Sequence, residues 1–201
     1  MSRVHGLLWG LAAAPLVLLS IQVISLLQGA SHNLGGDPAE AIMSELGRYA
    51  LWMLLVTLLI TPIRQRFPRL TFLVRSRRML GLWAFAYAIL HLVSYGVLVL
   101  GLDMSILWQD ISQKPYAIAG AAALIALIPL AVTSTQGWQR RLGRRWRQLH
   151  KLSYPILVLV WIHFLWQVRV DYTEAAVYLV LGALLLGART PIGRQFVIIS
   201  K

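Results

Sequence analysis

The sequence predicts an all-α, polytopic membrane protein: a six-helix transmembrane bundle with both termini in the cytoplasm. Three observations carry this. Of the 201 residues, 58% are hydrophobic and only 13% charged, too little charge to cover a soluble domain of this size. The apolar residues come in blocks close to the roughly 20 residues that a helix needs to cross a bilayer. The charges lie in the short segments between the blocks, and their sign alternates along the chain. No loop is long enough to fold alone, so residues 1–201 read as a single membrane domain.

The first block runs from Leu7 to Leu27. With its flanks, Gly6 to Gln28, it is too long for a signal-peptide core and reads as a retained span. The second runs from Gly47 to Ile60 and is closed by Thr61-Pro62. The third is Met79 to Leu102, the fourth Tyr116 to Val132, the fifth Leu152 to Val168 and the sixth Ala175 to Leu186. Backbone amides find no water in lipid, so each block must be helical. Trp52, Trp83, Trp108, Trp138 and Trp146 lie near block ends, as an interfacial aromatic belt does. Gly81, Gly96, Gly120 and Gly182 read as points of close helix packing.

Charge sets the orientation. Arg64, Arg66, Arg69, Arg75, Arg77 and Arg78 follow the second block. Arg140, Arg141, Arg144, Arg145, Arg147 and Lys151 follow the fourth, and the tail adds Arg189, Arg194 and Lys201. The alternate loops carry Arg48, Lys114 and Arg169 beside all seven acidic residues: Asp37, Glu40, Glu45, Asp103, Asp110, Asp171 and Glu174. By the positive-inside rule the basic loops and both termini are cytoplasmic. The net charge of +12 therefore reads as topology signal and contact with the lipid bilayer, not with nucleic acid. The chain has no cysteine, which excludes disulfides, thiolate metal sites and covalent haem attachment.

Of the five histidines, His5 and His32 lie outside the blocks. His91 is twelve residues past Met79 and His163 eleven past Leu152. Both blocks start on the basic side, so both imidazoles lie roughly 17–18 Å along, slightly past the midplane. Intramembrane ionisable groups mark function by default, and matched depth on two helices points to a shared ligand. Zinc usually takes more ligands, and ion transport usually an intramembrane carboxylate. No acidic residue lies in any block. A b-type haem (heme b) needs one or two axial nitrogens and an apolar slot. Phe85, Tyr87, Leu90, Leu92, Val93 and Tyr95, with Ile156, Leu159, Trp161, Phe164 and Trp166, offer one. His150 sits about 20 Å lower on the fifth helix. It reads as a ligand of a second haem, a partner of another cofactor, or an interfacial histidine, with Pro155 able to kink the helix between it and His163. Leu90-His91-Leu92-Val93-Ser94-Tyr95 is echoed by Leu149-His150-Lys151-Leu152-Ser153-Tyr154.

Arg77-Arg78-Met79-Leu80-Gly81-Leu82-Trp83-Ala84-Phe85-Ala86-Tyr87, Leu90-His91, Leu142-Gly143, Trp146, Leu149 to Tyr154 and Trp161-Ile162-His163 together resemble one family. It is the haem-binding membrane subunit of bacterial periplasmic methionine sulfoxide reductase systems, within the ferric-reductase-like transmembrane group. The resemblance covers essentially the whole chain. It implies an inner-membrane electron-transfer subunit with a b-type haem and a bound flavin mononucleotide (FMN). It also implies electrons from the quinone pool or a cytosolic flavin reductase. The acceptor it implies is a periplasmic, molybdopterin-containing methionine sulfoxide reductase that repairs oxidised proteins and does the catalysis itself. His91, His163 and His150 are then the metal ligands. Arg75, Arg77, Arg78, Arg144, Arg145 and Arg147 are candidates for flavin phosphate or haem propionate. The wider group often has two histidines on each of two helices; here Arg78 stands thirteen residues before His91, so one pair is incomplete. A haem-free small transporter or an anchor subunit is the alternative reading.

Overall fold

A computed structural model describes residues 3–70, 72–168 and 172–187, with the side chains of Arg3 and Arg75 outside the description. Every described element is helical. The order is α1 (Arg3–Leu27), α2 (Pro38–Arg66), α3 (Phe72–Ser94), a π-helical turn (Tyr95–Val99), α4 (Met104–Gln113), α5 (Pro115–Val132), α6 (Gln136–Leu142), α7 (Arg144–Leu149), a 3-10 turn (His150–Leu152), α8 (Ser153–Gln167) and α9 (Thr173–Gly187). Five helical stretches are long and apolar enough to cross a membrane: Val4–Leu27, Pro38–Arg66, Phe72–Val99, Pro115–Val132 and Arg144–Gln167. The chain is thus a multi-pass membrane protein. The block expected as a sixth span forms α9, described over the 15 residues Thr173–Gly187, about 22 Å of helix. Arg169, Asp171, Arg189, Pro191, Arg194 and Lys201 lie outside the described residues.

Helix ends depart from the hydropathy blocks for local reasons. α2 begins at Pro38, nine residues before Gly47, because Asp37 caps it: its carboxylate accepts the Glu40 amide at 3.1 Å, and Pro38 stands where no amide is needed. The helix also runs through Thr61-Pro62 to Arg66. α3 begins at Phe72, so Arg75, Arg77 and Arg78 lie on a helix rather than in a loop. The second basic segment is folded into α6 and α7, hinged at Gly143, whose φ of +50° suits glycine. Pro155 falls in the first turn of α8, where a missing amide costs nothing, and so makes no kink. The stretch is interrupted as an α-helix only earlier, by the 3-10 turn that holds His150.

α2, α3, α5, α8 and α9 share the main core: Leu51, Leu54, Leu55 and Leu58 meet Ala84, Ala123, Leu127, Leu130, Ile156, Leu157, Tyr178 and Leu185. α1 lies outside it. Ala12 packs with Ile60, Met79 and Leu80, and Leu19 with Leu34, Leu46 and Tyr87. Leu8, Leu16, Val23 and Leu26 pack beside these, whereas Leu7, Leu11, Val17, Leu18, Ile21 and Ile24 are exposed, as a lipid-facing surface should be.

Basic and acidic ends are distinct. The α2–α3 junction and α6–α7 form the basic end. At the acidic end Arg48 pairs with Glu45 and lies 3.8 Å from Glu174. Glu174 accepts the Tyr178 hydroxyl, which in turn accepts the Trp52 indole N–H at 3.0 Å. Trp52 therefore helps tie α2 to α9, beyond the belt role expected of it. The helix α4 was not foreseen. Asp103 caps it, accepting the amides of Ser105 and Ile106. Asp110, only 6% exposed, fixes it to its neighbours by accepting from Tyr95 and pairing with Lys114 at 2.7 Å. The Lys114 ammonium and the Tyr95 hydroxyl hold the Asp110 carboxyl below the usual carboxylate range. The stabilisation is present above that range and is lost as pH falls through the lowered pKa. Asp110→Asn is expected to loosen α4 at neutral pH, read as faster amide exchange across residues 104–113. Exchange unchanged from the parent protein would deny Asp110 this role.

Candidate functional site

His91 lies in the last turn of α3 and His163 near the end of α8. Their ring centres are 6.1 Å apart and their planes stand at 84°. The two rings therefore meet, as the counts along the third and fifth blocks expected, but the pair sits nearer the acidic end than expected. The count from Met79 started seven residues inside α3.

Both rings are seated by the same device. His91 Nδ1 lies 2.8 Å from the Met43 carbonyl of α2, and His163 Nδ1 lies 2.7 Å from the Tyr116 carbonyl of α5. A carbonyl only accepts, so each Nδ1 carries the proton and each Nε2 keeps a free lone pair. Four residues after each acceptor stands a glycine. A Cβ on Gly47 would lie 3.0 Å from His91 Nδ1, and one on Gly120 only 2.7 Å from His163 Nδ1. The glycines let each imidazole lie flat against the neighbouring helix. Gly120 thus packs against a functional side chain, while Gly81 and Gly182 meet Thr57 and Leu157 at ordinary distances and Gly96 has no such neighbour. Gly47, Met43 and Tyr116 were missed from sequence as site residues.

The arrangement suits one metal between two imidazoles. Two metal–nitrogen bonds of about 2 Å, with the nitrogen-to-centre distance in each ring, separate the ring centres by roughly 6 Å. Among the described residues no group of three or more His, Asp or Glu side chains could complete a metal site. A haem, which carries nitrogen donors of its own, would need only these two side chains from the protein. Phe85, Trp161 and Phe164 pack on the adjoining core. Tyr87 is fully buried but points its hydroxyl at the Ala12 carbonyl of α1, 2.7 Å away.

His150 is held differently. Its ring stacks on Trp146 with centres 3.9 Å apart, and its Nδ1 lies 3.1 Å from the Trp146 carbonyl. Trp146 is anchored by donating to the Thr133 carbonyl at 2.9 Å. The sequence echo is also a structural one: Ser94 donates to the His91 carbonyl and Ser153 to the His150 carbonyl, both at 2.8 Å. Of the candidate arginines, Arg78, Arg144, Arg145 and Arg147 are exposed. Arg77 is partly buried, lines a cavity, and lies within electrostatic reach of His150 and Tyr154.

Two part-buried histidines are paired between the helices, and the family model described as "Ferric reductase like transmembrane component" matches residues 46–161, which places the chain among ferric-reductase-like membrane proteins. That stretch includes Gly47, His91, Gly120 and His150 and stops just short of His163. The protein-methionine-sulfoxide reductase heme-binding subunit MsrQ of Xanthomonas euvesicatoria pv. vesicatoria (strain 85-10) is 47% identical over 178 residues, 89% of this chain and 81% of that relative. The subunit of the same name from Xanthomonas axonopodis pv. citri (strain 306) is 46% identical over the same shares. That from Xanthomonas campestris pv. campestris (strain 8004) is 47% identical over 180 residues, 88% of this chain and 80% of the relative. The chain belongs to this family of methionine sulfoxide reductase heme-binding subunits. No solved structure matches it.

Proposed function

We propose that the chain is a transmembrane b-type cytochrome that supplies electrons to a methionine sulfoxide reductase. The observation that carries this is the pair of glycine-seated imidazoles 6.1 Å apart with both Nε2 lone pairs free. His91 and His163 would hold the haem iron. The Met43 and Tyr116 carbonyls hold each ring's orientation and tautomer and make each Nε2 a better donor. Haem, when bound, supplies one-electron redox chemistry; reducing a sulfoxide to a thioether takes two electrons and two protons, so two turnovers serve one repair. The small elements of the acidic end, the α1–α2 loop, α4 and the α8–α9 loop, offer no catalytic domain, so the reduction belongs to a docked partner. A partner with a basic patch complements the acidic residues there.

The relatives' name supports methionine sulfoxide reductase as the acceptor. A periplasmic, molybdopterin-containing enzyme, the quinone pool or a cytosolic flavin reductase as donor, and FMN at the basic end complete the proposal. So do an inner-membrane location and six spans with cytoplasmic termini, which rest on the charge asymmetry. Reporter fusions after Phe67, Leu102, Thr133 and Val168 are expected to alternate sides, the first and third inside. A periplasmic signal at Phe67 would invert the scheme. For function, the purified haem is reduced and mixed with the soluble reductase and a methionine sulfoxide. Prompt reoxidation that needs both additions is expected. Equal reoxidation without the reductase would remove the proposed role.

A further inference from the structure

How the two imidazoles face each other depends on how two helices are held. His91 is carried by α3, and the carbonyl that seats His163 belongs to α5. α3 leaves the basic end and α5 starts from the acidic end, so the pair lies between two sets of contacts. On the basic side of His91, Ala84 of α3 packs in the main core with Ala123 and Leu127 of α5. That contact is apolar and non-directional, so it resists separation more than sliding. On the acidic side the contacts are polar. Tyr95, in the π-helical turn that continues α3, donates its hydroxyl to the Asp110 carboxylate of α4. The other Asp110 oxygen lies 2.7 Å from the Lys114 ammonium, at the start of α5. Lys114 also interacts with the Tyr116 side chain, and the Tyr116 carbonyl is the one that holds His163 Nδ1. Hydrogen bonds are directional, and Asp110 is buried, so bulk water does not replace a partner it loses. A π-helical turn is rare and often marks a functional site; here its first residue is the one the carboxylate holds.

We propose that Asp110 is a positioning residue for the imidazole pair: through Tyr95 and Lys114 it fixes the acidic end of α3 against the start of α5, and so sets how His91 and His163 face each other. This rests on the cytochrome reading, in which the two rings hold one iron. Asp110 acts through the helices that carry and seat the rings, not on the iron. A functional pair has to be held to within about 0.5 Å of its working geometry. Sliding of α3 against α5 would exceed that without unfolding either helix. The apolar core alone does not prevent such sliding, and the directional Tyr95–Asp110–Lys114 contact does.

The test uses the full chain purified with its haem. It reads the low-spin EPR signal, the high-spin fraction in the visible spectrum and the haem affinity. Tyr95→Phe removes one hydroxyl and changes no charge, so its effect reports position. Tyr95→Phe and Asp110→Asn are each expected to shift the low-spin g-values, raise the high-spin fraction and weaken haem by roughly tenfold, the low end for groups that orient a metal ligand. The double variant is expected to do no more than Asp110→Asn alone, because both act on one contact. Lys114→Gln is expected to behave likewise, and Lys114→Arg to restore the parental signal. Asp103→Ala removes the cap of α4 and leaves the Tyr95–Asp110–Lys114 contact in place. It is expected to loosen α4 and keep the haem signals of the parent. The proposal is overturned if Tyr95→Phe and Asp110→Asn both keep the parental EPR signal, for then the contact holds α4 alone. It is equally overturned if Asp103→Ala moves the signal as far, or if Lys114→Arg is no better than Lys114→Gln. Should Asp110→Asn not fold, Tyr95→Phe and the two Lys114 variants decide. A parent protein that binds no low-spin haem would end the cytochrome reading and this proposal with it; a low-spin parent with indifferent variants ends the proposal alone.

Discussion

Replacing His91 or His163 by alanine is expected to lower haem content by at least about tenfold, or to leave the remainder five-coordinate and high-spin. Each substitution would remove one of the two imidazole nitrogens proposed to hold the iron, beside the glycine on which that ring rests. The lost Nε2 is not replaceable, because no third His, Asp or Glu joins the pair among the described residues. His150→Ala is expected to spare this haem. Its ring belongs to the basic end, stacked on Trp146, while His91 and His163 meet near the acidic end. A pyridine haemochrome assay with the visible spectrum separates the cases. Full haem content with unchanged low-spin bands in both His91→Ala and His163→Ala would refute the pairing. Complete haem loss in a folded His150→Ala protein would move the iron to the other end.

Five of the six blocks as helices of membrane-spanning length, and the nearness of His91 and His163, were legible in the sequence because lipid makes the rules strict. An apolar block must be helical, and a deep imidazole must be compensated. The helix ends were less legible. Hydropathy falls where the chain leaves hydrocarbon, but a helix stops only where its backbone groups find other partners. Hence α2 extends through Glu40, Glu45 and Arg48, and α3 through its arginines. Asp37-Pro38-Ala39-Glu40 was the available signal, a cap followed by proline and an acidic first turn. Asp103 two residues before Ser105 was the corresponding signal for α4. The nearness of the two rings survived these errors because it depends on where His91 and His163 stand along α3 and α8, not on where those helices begin. The seats of the rings were not legible. Gly120 read as a packing glycine and Gly47 as a block boundary, since nothing local says which side chain of another helix a glycine faces.

Those seats give the second large effect. Gly120→Ala is expected to perturb the haem site more than Gly47→Ala does, although both replace glycine by the better helix former. In a helix interior alanine is favoured over glycine by about 0.5–1 kcal/mol. Against this stands the new methyl group. At Gly120 it meets His163 Nδ1 at 2.7 Å and Cε1 at 2.9 Å, inside the distance that real contacts reach. The ring cannot retreat without stretching the 2.7 Å bond to Tyr116, two residues into the same helix α5. Overpacking of this kind costs about 1–3 kcal/mol, so the clash outweighs the propensity gain. At Gly47 the contacts are 3.0 and 3.2 Å, a shift of a few tenths relieves them, and the two effects nearly cancel. The expected result is about a tenfold or greater loss of haem affinity for Gly120→Ala, since about 1.4 kcal/mol is one decade. Gly47→Ala should bind within a few-fold of the parent. The haem that Gly120→Ala retains should show altered low-spin bands, because His163 is turned rather than removed. A Gly120→Ala protein with parental affinity and spectrum would mean that the ring does not rest on this glycine, and the seating argument for both histidines would fall with it.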